Sequence, residues 1–331
     1  QSARLKGLVG IRLPEQMSGR RIAVIGGGPA GVACAVSLLE QGHEVTIYEA
    51  GRALGGIPEA TIPQERYADA QAEIRAVLQP ALEEDRLEVQ YGKRLGTDIS
   101  LDELRRTYDA VFVGIGLPGA MRLADQHGVL DALAFLEQSK SGVLQQVPSR
   151  VAVLGGGNTA ADAAVTARRM GAEDVYLVYR RSFREMPLWA KERDALLENG
   201  IHLMILTQPL GYTCDADGKL TGLRIARTEL GEPDASGRRK PVVQEDTENV
   251  LEVGLVVEAL GQTLPPEVLN ALDGIEFDSR NQIKTKTGSL ETSVENVFAG
   301  GDIVNGGATA VEAVRHGMDA AAEISERLRT S

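Results

Sequence analysis

The stretch that most constrains this chain is Arg21 to Glu49, RIAVIGGGPAGVACAVSLLEQGHEVTIYE. Ile22 to Ile25 is a short apolar run of the kind that forms a strand buried on both faces. Gly26-Gly27-Gly28-Pro29-Ala30-Gly31 follows it as a complete G-x-G-x-x-G. Val32, Ala35, Val36 and Leu39 then recur at helical spacing as far as Glu40. Gly42 stops the helix, and Val45 to Tyr48 reads as a second strand. Glu49 closes that strand, about twenty residues past the glycines.

Each residue of the turn has a physical task. Gly26 lets the chain turn sharply off the strand. Gly28 leaves room for a pyrophosphate against the backbone, and Gly31 lets helix and strand pack closely. The helix that opens at Pro29 and Ala30 offers free N–H groups and a positive dipole end to phosphates. Glu49 would accept hydrogen bonds from a ribose diol and repel a 2′-phosphate, so the ligand expected is an unphosphorylated adenosine dinucleotide. The bland alternative is a tight turn in an ordinary α/β protein. The strands, the spacing and the terminal acid weigh against it.

The theme recurs from Arg150 to Arg181. Val151 to Leu154 is a strand, Gly155-Gly156-Gly157-Asn158-Thr159-Ala160 a G-x-G-x-x-A turn, Ala161 to Met170 an alanine-rich helix closed by Gly171, and Val175 to Tyr179 a second strand. An internal repeat of a whole βαβ unit implies two dinucleotide sites. The second unit ends in Arg180 and Arg181, with Arg184 nearby, where the first has Glu49. Arginines in that place accommodate a 2′-phosphate. The natural pairing is FAD in the first unit and NADP(H) in the second. The alternative for Arg180 and Arg181 is a solvated charged face.

The remaining chain fits this plan. Its 331 residues suggest about two domains. A formal net charge of -12 disfavours nucleic acid and anionic membrane as partners. Two cysteines, Cys34 and Cys214, provide neither a disulfide framework nor a C-x-x-C, and a reducing, cytoplasmic setting is expected. No apolar run approaches the length of a membrane span, and no signal-peptide core is present. The chain begins at Gln1, not Met, which hints at processing or trimming. Residues 1–19 are a lead-in without pattern.

Gly55-Gly56 is a further place for backbone to approach a ligand, and the alternative is a plain loop. Helices are expected at Tyr67 to Glu83, Leu101 to Arg106 and Ala190 to Asn199. Strands are expected at Leu87 to Tyr91 and Ile201 to Thr207. Tyr108 to Gly116 is a strand ending in glycine at the sheet edge where ligands bind. Leu220 to Val243 suggests a hairpin-like elaboration, and Leu255 to Leu260 a strand running into Gly261 and a return crossing. Near the end, Asn296 to Asp302 is a strand ending in Gly301-Asp302, followed by a helix from Thr309 to Leu328. Asp302 suits a polyol hydroxyl. The N–H groups of Thr309, Ala310 and Val311 suit the pyrimidine edge of a reduced flavin. His43, His127, His202 and His316 are scattered and read as structural or exposed. Trp189, after Met186-Pro187, lines either a nicotinamide approach or the core.

With GGGPAG at Gly26 to Gly31, GGGNTAADA at Gly155 to Ala163, YRRSFREMP at Tyr179 to Pro187, RTELGEPDASGRR at Arg227 to Arg239 and FAGGDIVNGGATAVEA at Phe298 to Ala313, the chain resembles the two-dinucleotide flavoprotein reductases. Within them it is similar to the glutamate synthase small-subunit branch. The resemblance implies an α/β fold of two Rossmann-like domains, with an NADPH domain at 121–264 inserted in an FAD domain formed by 1–120 and 265–331. It implies hydride transfer from NADPH to FAD, and electrons passed on to a protein subunit or a ferredoxin-like, iron–sulfur acceptor. Gly26, Gly28, Pro29, Ala30, Gly31, Glu49, Gly55 and Gly56 match the flavin side. So do Gly116, Gly301, Asp302, Thr309, Ala310 and Val311. Gly157, Asn158, Thr159, Ala160, Arg180, Arg181 and Arg184 match the NADPH side, with Gly261 near the nicotinamide passage. The family's N-terminal cysteine-rich domain with two [4Fe–4S] clusters has no counterpart here, so no cluster is expected on this chain. Two other readings stand beside this one: a thioredoxin-reductase-like disulfide reductase, which lacks its C-x-x-C, and a non-catalytic nucleotide-binding scaffold.

Overall fold

In the computed structural model, which describes residues 10–62, 70–188, 190–233 and 237–330, the chain leaves one unit and later returns to it. The first unit is Gln1–Gly119 with Gln262–Ser331, and the second is Ala120–Gly261.

In the first unit, β1 (Arg21–Ile25), α1 (Pro29–Glu40) and β2 (Glu44–Glu49) form the opening βαβ. They continue through α2 (Gly56–Thr61), α3 (Ala70–Glu83), β3 (Leu87–Tyr91), α4 (Leu101–Thr107), β4 (Ala110–Val113) and the short β5 (Gly119–Ala120). After the second unit the chain adds β15 (Gln262–Thr263), α8 (Pro266–Ala271), β16 (Val297–Ala299), α9 (Asp302–Asn305) and α10 (Ala310–Arg329). The sheet order is β16-β4-β1-β2-β3, and every pairing is parallel. The inner strands β1 and β4 are covered on both faces, which is why Ile22 to Ile25 and Ala110 to Val113 read as unbroken apolar runs. Ile22, Val24, Ile47 and Phe112 face Cys34, Leu38 and Ile324 of α1 and α10 on one side. Ile25, Val111 and Val113 face Leu104, Val268 and Leu272 on the other. Each fully buried Leu or Ile contributes roughly 1.5–3 kcal/mol.

The second unit holds β6 (Val129–Asp131), α5 (Ala132–Lys140), β7 (Arg150–Leu154), α6 (Asn158–Arg169), β8 (Asp174–Tyr179), α7 (Ala190–Glu198) and β9 (His202–Ile205). Then come β10 (Thr207–Cys214), β11 (Leu220–Pro233), β12 (Arg239–Val243), β13 (Asn249–Glu252) and β14 (Leu255–Glu258). A parallel sheet of order β6-β14-β7-β8-β9 repeats the architecture of the first unit. The alanines of α6 let it lie close on this sheet, with Ala160, Ala163, Ala164 and Ala167 fully buried.

Three local expectations change. The Gly55-Gly56 loop opens a short helix, α2, because Gly55 in the left-handed region serves as its N-cap. The hairpin-like segment is a four-stranded antiparallel sheet, with β10 and β13 both on β11 and β12 continuing it. The strand expected from Tyr108 to Gly116 is confined to Ala110–Val113, and the glycines beyond it form a loop. The first residues of the helix expected from Tyr67, and Trp189, lie outside the described residues.

Candidate dinucleotide sites

At the carboxyl end of the first sheet, β1 runs into Gly26 at φ +98°, where an added Cβ would lie 2.6 Å from the carbonyl oxygen of Gly114. An added Cβ on Gly31 would lie 1.8 Å from the carbonyl oxygen of Gly26, so only glycine lets α1 start against this turn. Glu49 clasps the same turn. Its Oε2 accepts the N–H of Gly27 at 2.7 Å and its Oε1 the N–H of Gly51 at 2.5 Å. Gly55 N–H donates to Gly27 O at 2.7 Å, which brings the second glycine pair beside the first.

These segments enclose a cavity of about 310 Å³, in the range of small-ligand sites. Gly26, Gly28, Pro29, Ala30, Glu49 and Gly56 from the chain's start line it, with Gly116, Gly301, Asp302, Thr309 and Ala310. Gly31, Gly55 and Val311 are not in its wall. Gly31 is under the turn, Gly55 caps α2, and the Val311 side chain is 77% exposed. The wall also includes Ile57, Pro58, Gly114, Ile115, Leu117, Pro118, Ala308 and Ala313, which the sequence reading did not single out. The signal for Gly114 to Pro118 was present, since they lie at and just past the end of the strand expected from Tyr108 to Gly116, at the ligand-binding edge.

The chemistry of the wall is uneven. α1 begins at Gly28, which has no side chain to cap it, so its first N–H groups are left for an anion. α10 instead closes its own first turn: Thr309 Oγ1 accepts the N–H of Glu312 at 3.2 Å, and the Glu312 carboxylate accepts the N–H of Thr309 at 3.0 Å. That differs from the expected arrangement, in which Thr309 offers its N–H to a ligand. Burial pushes the Asp302 carboxyl above its ordinary value, although Ala308 N–H and His316 oppose this. Gly301 N–H donates to Nδ1 of His316 at 3.1 Å, so this histidine supports the turn that carries Asp302. An uncapped helix end, an acid at the close of β2 and a glycine-lined cavity fit an adenine dinucleotide.

In the second unit, α6 begins at Gly157, again without a side chain to cap it. Asn158 follows, and its Oδ1 is buried and accepts no hydrogen bond among the described residues. Thr159 is half-buried and Ala160 packs into the core. At the end of β8 the two arginines diverge. Arg180 is exposed, while Arg181 is 7% exposed and its Nε donates to the carbonyl oxygen of Arg239 at 2.8 Å. Arg184 is exposed, with its N–H on Ser182 Oγ at 3.2 Å. The expected pair of equivalent arginines is therefore an outward and an inward one, because β12 offers the inward one a backbone acceptor. Gly261 sits at φ +122° where the chain leaves the unit. Met186 is part of the core. An uncapped helix end, an unpaired buried acceptor beside it and exposed guanidinium groups past β8 fit a phosphorylated dinucleotide.

Cys34 is buried and Cys214 exposed, and neither forms a disulfide. Among the described residues no helix is long and apolar enough to cross a membrane.

The sequence pattern of the pyridine nucleotide-disulphide oxidoreductase family matches residues 20–317. The chain is 40% identical over 329 residues to the NADP(+)-dependent formate dehydrogenase subunit beta of Moorella thermoacetica, covering 94% of this chain and 44% of that one. It is 33% identical over 324 residues to the glutamate synthase [NADPH] small chain of Escherichia coli (strain K12), covering 92% of this chain and 68% of that one. The chain thus spans about half to two thirds of the length of these relatives. In fold it is similar to Mycobacterium tuberculosis FprA in complex with NADPH, with a TM-score of 0.78 at 18% identity over 94% of this chain and 85% of that one. With its two glycine turns in place and nine tenths of its length matched, the chain belongs to the pyridine nucleotide-disulphide oxidoreductase family and is an FAD-dependent NAD(P)H oxidoreductase of it.

Proposed function

We propose that this chain is the NADPH-oxidising flavin module of an electron-transfer enzyme, with FAD in the first unit, NADPH in the second and a protein partner as electron acceptor. The observation that carries this reading is the contrast between the two second strands. One ends in Glu49, held against its own glycine turn, and the other in an exposed Arg180. A carboxylate there rejects a 2′-phosphate and a guanidinium attracts one.

The two cofactors together supply a hydride donor and a two-electron flavin acceptor, so the chemistry calls for no protein acid or base. The chain's residues position and polarise. The α1 and α6 N-termini would hold pyrophosphates, Glu49 a ribose diol and Asp302 a polyol hydroxyl. Arg180 and Arg184 would supply positive charge for the 2′-phosphate. The two relatives named above are subunits by name, which supports a partner chain for this one. With only two cysteines this sequence does not supply the four ligands of an iron–sulfur cluster, so the acceptor's cluster would sit on another polypeptide segment. Free thiols support a reducing compartment such as the cytoplasm.

Anaerobic titration of the FAD-loaded protein tests the reading. The visible flavin band is expected to bleach with about one equivalent of NADPH, and far less readily with NADH. A band that persists would favour the scaffold reading. Failure to take up FAD at all would overturn the assignment of the first unit.

A further inference from the structure

We propose that the antiparallel sheet β10–β12 is a coenzyme-specificity element, with Thr228 as its positioning residue. It holds the Arg180–Arg181 turn from outside the parallel sheet, so that Arg180 is fixed where a 2′-phosphate is read. The inference rests on the NADPH reading above and gives a task to the segment Arg227 to Arg239, which that reading leaves unused.

Three hydrogen bonds carry it. Thr228 Oγ1, on β11, donates to the carbonyl oxygen of Arg180 at 2.8 Å. Leu206 N–H donates to the carbonyl oxygen of Arg181 at 3.0 Å. Arg181 Nε donates to the carbonyl oxygen of Arg239, at the start of β12, at 2.8 Å. Thr228 is 4% exposed, and its own N–H donates to Leu206 O at 2.8 Å, so two of the three ties are linked to each other. Leu206 holds φ +51°, a conformation rarely adopted by a residue with a bulky side chain. Such strain persists where its surroundings over-determine it, and here a bond on each side of Leu206 does so. Both carbonyl groups of the arginine turn, and one guanidinium, are thus held by residues from 206 onward, beyond the βαβ repeat.

The consequence falls on recognition. A guanidinium reads phosphate through a planar fork with fixed geometry. A mobile turn would have to be ordered on binding, which weakens the complex. NADH has no 2′-phosphate, so loosening the turn affects NADPH alone. The signature is therefore the ratio of the two affinities.

The test uses the full chain loaded with FAD. NADPH and NADH dissociation constants are measured by calorimetry on the unaltered protein, Thr228→Val and Thr228→Ser, with thermal unfolding as a check on the fold. Valine keeps the shape and removes the hydroxyl, and serine restores it. Thr228→Val is expected to lower the NADPH preference roughly fivefold to tenfold, as for one lost hydrogen bond at a buried acceptor. NADH affinity should be unchanged, and Thr228→Ser should recover the preference. A valine variant that folds and keeps its preference within about twofold would overturn the inference. Equal affinity of the unaltered chain for both coenzymes would instead overturn the NADPH reading beneath it. Should the valine variant fail to fold, the smaller Thr228→Ala variant gives the same comparison.

Discussion

Glu49 Oε2 accepts the backbone N–H of Gly27 at 2.7 Å, so the last residue of β2 fixes the middle of the glycine turn that leaves β1. The other oxygen accepts Gly51 N–H at 2.5 Å, and Glu49 is also one of the residues that line the cavity. The acid that would read a ribose is thus also a brace for the phosphate loop.

Glu49→Gln separates a merely local acid from this double role. The amide replaces one acceptor oxygen with a donor and sets it against a backbone N–H. Charge-assisted hydrogen bonds are worth about 1.5–3 kcal/mol. FAD binding is therefore expected to weaken by roughly tenfold to a hundredfold, measured by equilibrium dialysis with flavin fluorescence. A dissociation constant equal to that of the unaltered chain would show that Glu49 holds nothing the cofactor needs.

Gly317 sets how closely α10 approaches α1. An added Cβ there would lie 2.1 Å from the carbonyl oxygen of Ala30 and 2.9 Å from the N of Cys34. Gly317→Ala must push the helices apart, at a cost of about 1–3 kcal/mol or more. Ala30 and Ala313, one on each helix, line the cavity, so FAD affinity should fall with stability. Urea unfolding should show a lower midpoint with an unchanged slope. Val311→Ala, at the exposed start of α10, should stay within about 0.5 kcal/mol of the parent.

Both βαβ repeats were legible because their requirements are local. A turn that leaves a strand and starts a helix in five residues needs glycine at fixed spacing, and Gly26 to Gly31 and Gly155 to Ala160 state it outright. The parts that were not legible depend on distant partners. Nothing near Arg181 in sequence says that Arg239 will offer it a carbonyl, so its inward turn could not be read beforehand. His316 reads as an isolated histidine until the fold sets Gly301 N–H against its Nδ1. The capping box of Thr309 and Glu312 was visible as T-x-x-E, and it competes with the ligand role expected of Thr309 at the helix N-terminus.

His43 provides a pH dependence. Its Nδ1 lies 2.7 Å from Ser18 Oγ. Its Nε2 lies 2.8 Å from Ser325 Oγ, whose own hydroxyl donates to Ala321 O, so Nε2–H is the donor. Burial lowers the ring's pKa, with Asp109 favouring the proton and Arg20 opposing it. The unfolded chain takes up a proton near pH 6.5, where the folded chain does not. Stability from this group is complete above that pH and declines as pH falls toward the folded value, by at most about 1.4 kcal/mol per pH unit. Urea unfolding between pH 7.5 and 5 at about half-unit steps should show this component, and His43→Gln should remove it. An identical pH profile in the variant would assign the loss to other groups.

The cysteines decide between electron transfer to a partner and reduction of a disulfide by the chain itself. Disulfide exchange needs an attacking thiolate and a second thiol to resolve the intermediate. Cys34 is fully buried in α1, and burial pushes its thiol far above the ordinary range. Cys214 is exposed on β10, in the other unit. Neither has a vicinal partner in sequence. The double variant Cys34→Ala, Cys214→Ser is therefore expected to bleach its flavin with NADPH at the rate of the unaltered chain in anaerobic stopped flow. It should also reoxidise equally well with an artificial one-electron acceptor. If the unaltered chain reduced a small aromatic disulfide with NADPH and the double variant did not, the thiols would be part of the electron path, and the disulfide-reductase reading would replace the one proposed here.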